Sequence, residues 1–185
     1  MAWRWRQSTV AGKLLPHLSS LYNFALSLAG PSDAEDLVQA TVLKAVEWWD
    51  QLQGRPNVRT WLFVVLRNAW IDLSRQRARN LEAAPEIDMV GDQSSTLDPE
   101  QVVVEREWAK EVRQALQALP EVYRTPLYLR DVEGFSYKEI AEILGCPVGT
   151  VMSRLARGRS LLRSQLLGQL EERGWQRSSK QRGGV

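Results

Sequence analysis

The 185 residues contain a single cysteine, Cys146, and a single histidine, His17. One thiol cannot close a disulfide within the chain, and a cysteine zinc site is excluded with it. One imidazole leaves neither a Ser–His–Asp triad nor a multi-histidine metal centre to be built. No glycine-rich phosphate loop of the P-loop kind occurs. Glu35 and Asp36 are adjacent, and adjacent positions on a helix diverge instead of facing one another. No uninterrupted apolar run approaches about 18 residues. The N-terminus opens like a targeting peptide, with Arg4 and Arg6 ahead of apolar residues, but His17, Ser19, Ser20 and Asn23 interrupt that stretch. The expectation is a cytoplasmic protein without membrane insertion, not an enzyme, and in need of no metal or cofactor.

Acids are missing locally. Between Glu142 and Glu171 there is none, while Arg154, Arg157, Arg159 and Arg163 fall in one short stretch. Between Asp50 and Glu82, Arg55, Arg59, Arg67, Arg75, Arg77 and Arg79 meet only Asp72. The segment from Leu81 to Glu105 is the reverse: Glu82, Glu86, Asp88, Asp92, Asp98, Glu100 and Glu105, with no Lys or Arg. A net charge of +2 therefore hides two basic blocks divided by an acidic one. Two surfaces facing polyanions are implied.

What is present is helical periodicity. Apolar residues at 44% and charged residues at 25% are ordinary for a globular chain. A first helix is predicted from about Leu14 to Ala29, stopped by Gly30-Pro31. The next opens on Ser32-Asp33-Ala34-Glu35, the pattern of a capping box, and carries Val38, Val42, Ala45 and Trp49 at helical spacing. A third, from about Thr60 to Arg75, sets Leu62, Val65, Leu66, Ala69 and Leu73 on one side. The acidic segment has Pro85, Gly91, Ser94, Ser95 and Pro99 and reads as a flexible linker. Helical spacing returns with Trp108, Val112, Leu116 and Leu119, then over about Val122 to Arg130, Ser136 to Leu144 and Thr150 to Leu167. The fold class is all-α: two small helical domains, 10–80 and 105–170, joined by a linker over 81–104 and followed by a basic disordered tail, 171–185.

The strongest local signal lies between Ser136 and Arg163. Ser136-Tyr137-Lys138-Glu139 is a second capping box. Ala141 is small, as a close helix crossing requires, and Gly145 supplies the freedom for a tight turn. Pro147 sets the entry to a second helix, whose Val151, Leu155, Gly158 and Leu162 share the inner face. This is the spacing of a helix-turn-helix. The outward face then shows Ser153, Arg154 and Arg157, with Thr150 and Met152 beside them. Arginine forms paired hydrogen bonds to guanine, and each good base contact contributes about 1–3 kcal/mol of discrimination. Cys146 reads as a small turn residue.

Two blocks resemble a known family. Asp33-Ala34-Glu35-Asp36-Leu37-Val38-Gln39, followed by Thr60-Trp61-Leu62 and Arg67-Asn68, is similar to the first conserved domain of the extracytoplasmic-function (ECF) sigma factors of bacterial RNA polymerase. The run from Tyr137 to Leu155 resembles their second. The resemblance spans about Leu14 to Leu167. It implies a protein that binds core RNA polymerase and directs promoter recognition and melting. Asp33, Asp36 and Gln39 would dock on the beta-prime clamp helices, the beta subunit being a further contact. Asn57, Val58, Arg59, Arg67 and Asn68 would capture the minus-ten element, and Arg75, Arg77 and Arg79 its duplex phosphates. Thr150, Met152, Ser153, Arg154, Ala156 and Arg157 would read the minus-thirty-five element. Met152 stands where relatives often carry a basic residue. Trp61, Phe63 and Trp70 are candidate stacking surfaces for melted bases, with Trp61 reading rather as core. The resemblance also implies an anti-sigma partner.

The competing readings are a helix-turn-helix repressor or activator and an RNA-binding antiterminator. The first leaves the Asp33–Gln39 block and one basic region unexplained. The second leaves two separate promoter-reading motifs without a purpose.

Overall fold

A computed structural model describes residues 2–52, 57–82, 112 and 114–182. Among the described residues every regular element is helical. The chain gathers into two compact units, Met1–Thr96 with Lys138–Cys146, and Leu97–Tyr137 with Pro147–Val185.

In the first unit α1 (Ala2–Ala29) is closed by Gly30, whose amide donates to the Leu26 carbonyl at 3.1 Å. Gly30 has φ 78°, a left-handed conformation that costs glycine little. Helix α2 (Pro31–Glu47) starts at once, because Pro31 is already set to a helical φ and has no N–H to leave unpaired. The expected capping box does not form. With Pro31 in the first turn, Ser32 lies inside the helix, and its hydroxyl donates to Asp33 Oδ2 at 3.2 Å. The short α3 (Trp49–Leu52) follows, then α4 (Val58–Glu82), longer than the predicted helix at both ends. Helix α5 (Glu121–Leu127) belongs to the second unit, whereas α6 (Tyr137–Leu144) belongs to the first from Lys138 onward.

Helices α1, α2 and α4 pack against one another. Leu21, Phe24 and Ala25 of α1 and Leu62, Phe63 and Leu66 of α4 are fully buried. The Phe24 and Phe63 rings stack with centroids 5.0 Å apart, an arrangement that contributes about 0.5–1.5 kcal/mol beyond the area removed from water. On α2 the buried row is Ala34, Leu37, Thr41 and Ala45. The predicted stripe was turned slightly too far: Val38 and Val42 are half-buried, while Ala45 and Trp49 are buried. Thr41 enters the core because its hydroxyl donates to the Leu37 carbonyl at 2.7 Å.

In the second unit residues 114–117 are helical, and α5 follows Pro120. Pro126, inside α5, removes one backbone donor, and the helix passes into a π-helical turn, Tyr128–Val132, where one continuous helix to Arg130 was predicted. Helix α7 (Val148–Arg182) packs against α5. It runs well past the predicted end at Leu167, and the expected disordered tail is helical through Arg182. No proline follows Pro147, so nothing in the covalent chain stops the helix there. Most of the predicted linker, and Trp108, lie outside the described residues.

Candidate nucleic-acid and partner interface

Three residues on α2 were assigned to polymerase. Asp36 and Gln39 are exposed, and Leu43, at 64% exposure, continues their row one turn on. Asp33 is different. Its side chain is turned inward and its carboxylate is held by both ends of the Arg77 guanidinium: Nη1 donates to Oδ2 at 2.8 Å and Nη2 donates to Oδ1. The hydrogen bond from Arg77 holds the Asp33 carboxyl below the usual carboxylate range, against the opposing effect of burial. The guanidinium is held correspondingly more firmly protonated. Asp33 and Arg77, assigned from sequence to polymerase and to DNA, face each other.

Helix α4 carries the minus-ten candidates. Asn57 caps it: Oδ1 accepts the Thr60 amide at 3.2 Å, satisfying one of the free donors of the first turn. The Asn57 amide group and the Thr60 hydroxyl both donate to Glu139 Oε1, the latter at 3.3 Å. A carboxylate at this point is favoured by the free N–H groups and the helix dipole. Sequence reading missed Thr60 and gave Glu139 only a local capping role. An Asn three residues before a Thr at a helix start was the available signal for the first, and nothing local signals the second. Val58 and Arg59 are half-buried, and the Arg59 guanidinium lies 5.6 Å from the centre of the Phe63 ring. His17 is held below the usual imidazole range by burial and then by the Arg59 charge. Phe63 belongs to the core, whereas Trp61 and Trp70 are half-buried. Further along, Arg67 is half-buried, and Asn68, Arg75 and Arg79 are exposed.

The second unit presents the start of α7. Val151, Leu155 and Gly158 are buried in one row. A Cβ at Gly158 would come within 2.9 Å of Leu127 Cδ1 and 3.3 Å of Tyr123 Cβ, so α5 and α7 touch almost backbone to backbone here. On the other side Met152, Ser153, Ala156 and Arg157 are exposed, with Thr150 and Arg154 half-buried beside them. The Ser153 hydroxyl donates to the Thr150 carbonyl at 3.0 Å. Before α7, Gly145 has φ 59°, the conformation its predicted turn required.

A second arginine of the basic blocks is also engaged. Arg159 Nη2 donates to Asp131 Oδ1 at 2.8 Å, tying α7 to the π-helical turn. In the same turn the Arg130 guanidinium lies 5.1 Å from the Tyr137 ring centre and donates to the Phe135 carbonyl at 2.9 Å. The Tyr128 hydroxyl donates to Glu133; burial, then the Glu133 charge, raises its pKa well above the usual phenol range.

Among the described residues no three His, Cys, Asp or Glu side chains are grouped to hold a metal ion, and no helix is long and apolar enough to cross a membrane. Residues 15–80 match the family model for sigma-70 region 2, and residues 109–162 match that for sigma-70 region 4. The ECF RNA polymerase sigma factor EcfG of Rhodopseudomonas palustris is 40% identical over 154 residues, 83% of this chain and 82% of that protein. The solved sigma factor RpoE from Bartonella quintana, in complex with the anti-sigma factor NepR, superimposes with a TM-score of 0.72 at 31% identity, over 84% of this chain and 94% of that one. CnrH, solved in complex with the cytosolic domain of CnrY, gives a TM-score of 0.62 at 26% identity, over 88% and 90%. Sigma factors are transcription initiation factors that work by binding core RNA polymerase and promoter DNA. Two helical regions in the right order, the exposed helix faces and a close relative over most of its length together make this chain a member of the ECF RNA polymerase sigma factors.

Proposed function

We propose a division of labour among three helix faces of this sigma factor. Residues 10–80 bind polymerase and the minus-ten element, 81–104 link, and 105–170 bind the minus-thirty-five element. The matches to region 2 over 15–80 and region 4 over 109–162 support that partition. Asp36 and Gln39 dock on polymerase. Asn57, Val58, Arg59, Arg67 and Asn68 meet the melted minus-ten strand, with Arg75 and Arg79 on its phosphates. Thr150, Met152, Ser153, Arg154, Ala156 and Arg157 read the minus-thirty-five element. The protein acts in the cytoplasm, through binding alone and with no catalytic step of its own. An anti-sigma factor restrains it, a reading supported by the similarity to RpoE solved in complex with the anti-sigma factor NepR.

The observation that carries this reading is the two-sidedness of α7. One row (Val151, Leu155, Gly158) is buried and the opposite one (Met152, Ser153, Ala156, Arg157) is exposed. A helix held by one row against its own unit offers the other to a groove. Arg157→Ala tests it by run-off transcription with core polymerase. Loss of one base contact of about 1–3 kcal/mol corresponds to roughly a five- to 150-fold fall in promoter-specific transcript. Polymerase binding stays intact. Undiminished transcription by Arg157→Ala and Arg154→Ala alike would remove this face from promoter recognition.

A further inference from the structure

Arg75, Arg77 and Arg79 look in sequence like one set of phosphate-binding cations, but a helix cannot present all three to one strand. Positions four apart share a face and positions two apart do not. Arg75 and Arg79 therefore share one side of α4, both exposed, and Arg77 points away from them. It points at α2, where its guanidinium forks onto the Asp33 carboxylate. We propose that Asp33 and Arg77 form a positioning pair that fixes the polymerase-docking helix α2 against the promoter-binding helix α4, and that Arg77 neutralises no phosphate.

The geometry suits that task. A bidentate guanidinium–carboxylate contact sets direction as well as distance, which a single point charge does not. The Asp33 side chain is 12% exposed and that of Arg77 43%, so the pair is open to water on the arginine side and its Coulomb energy is weakened there. What survives screening is the orientation. Asp33 lies one turn before Asp36 on α2, and Arg77 lies between Arg75 and Arg79 on α4. The fork thus joins the two helices at the points where each carries its outward contacts. The Ser32 hydroxyl also donates to Asp33 Oδ2, at 3.2 Å, the oxygen that accepts from Arg77 Nη1.

The inference rests on the assignment of α2 to polymerase and α4 to DNA. It is tested on holoenzyme reconstituted with full-length variants, measuring promoter-fragment affinity across a series of salt concentrations. A lost phosphate contact makes the plot of log affinity against log salt shallower by about 0.9. A lost positioning contact shifts the line without changing its slope, by roughly two- to thirtyfold for a residue touching neither partner. Arg77→Ala is expected to give a parallel, weaker line, and Arg75→Ala a shallower one. Arg77→Lys keeps the charge but not the fork, and is expected to give the same parallel shift, reduced in size. Thermal melts at the assay pH establish that each variant is folded. A shallower line for Arg77→Ala, or a line identical to wild type for it and for Arg77→Lys, would overturn the positioning pair. An unchanged slope for Arg75→Ala would instead count against α4 as the phosphate-bearing helix, whatever Arg77 does.

Discussion

Gly158→Ala puts the packing of the second unit to a sharp test, because two effects of known size oppose each other. Alanine favours a helix interior over glycine by about 1 kcal/mol, so on α7 alone the change would stabilise. Against this, the new methyl would lie 2.9 Å from Leu127 Cδ1, 3.2 Å from Leu127 Cγ and 3.3 Å from Tyr123 Cβ. The first contact alone could be relieved by a rotamer change. Of the other two, Tyr123 Cβ is fixed to the α5 backbone, and Leu127, whose Cγ could move only through χ1, is itself 2% exposed, with no space to turn into. Overpacking of this kind costs about 1–3 kcal/mol. With Tyr123 Cβ fixed to its backbone and Leu127 enclosed, the upper half of that range applies, and the net loss is about 1–2 kcal/mol. Thermal unfolding followed by far-UV circular dichroism should show a fall of about 2–4 °C per kcal/mol for a chain of this size. The same variant should lose transcription from promoters that depend on the minus-thirty-five element, because relief of the clash pushes α7 away from α5. Equal or greater stability in Gly158→Ala would refute the close crossing.

Two further outcomes follow from the first unit. Asp36→Ala and Gln39→Ala remove exposed side chains, so stability should stay within about 0.5 kcal/mol of wild type while affinity for core polymerase falls by roughly five- to thirtyfold, read by competition with labelled wild-type protein. His17 is held below its ordinary value of 6.5, so between the two values the unfolded chain binds more protons than the folded one. Stability should therefore be full above pH 6.5 and decline as the pH drops below it. His17→Gln should lessen that decline in urea titrations at pH 7.5 and pH 5.5, and an unaltered decline would show that other groups cause it.

Much of the fold was legible because its signals are local. Gly145 and Pro147 marked the turn before α7, and the rows Leu62–Val65–Leu66 and Val151–Leu155–Gly158 marked the buried sides of their helices. The capping box at Ser32 was misread because Pro31, one residue earlier, is itself a good helix start and draws Ser32 into the first turn. The stripe on α2 was placed a fraction of a turn away from the true one. Thr41 stood outside the predicted stripe, yet its bond to the Leu37 carbonyl lets it be buried. The passage of α5 into a π-helical turn depends on what surrounds Pro126, and periodicity carries no record of that.

The sequence by itself determined the all-helical class, the two-block organisation and the outward face of α7. Each of these depends on spacing within one or two turns of a helix. The same is true of the motifs that mark the family. Only the tertiary structure decided which charges remain available to partners. Asp33 and Arg77 are 44 residues apart, and Arg159 is 28 from Asp131. Their pairing follows from the packing of α2 on α4 and of α7 beside the π-helical turn. A count of arginines treats all of them as equivalent cations; the fold turns Arg77 and Arg159 toward carboxylates of the chain itself, because opposite charges brought within hydrogen-bonding distance satisfy each other before any partner arrives.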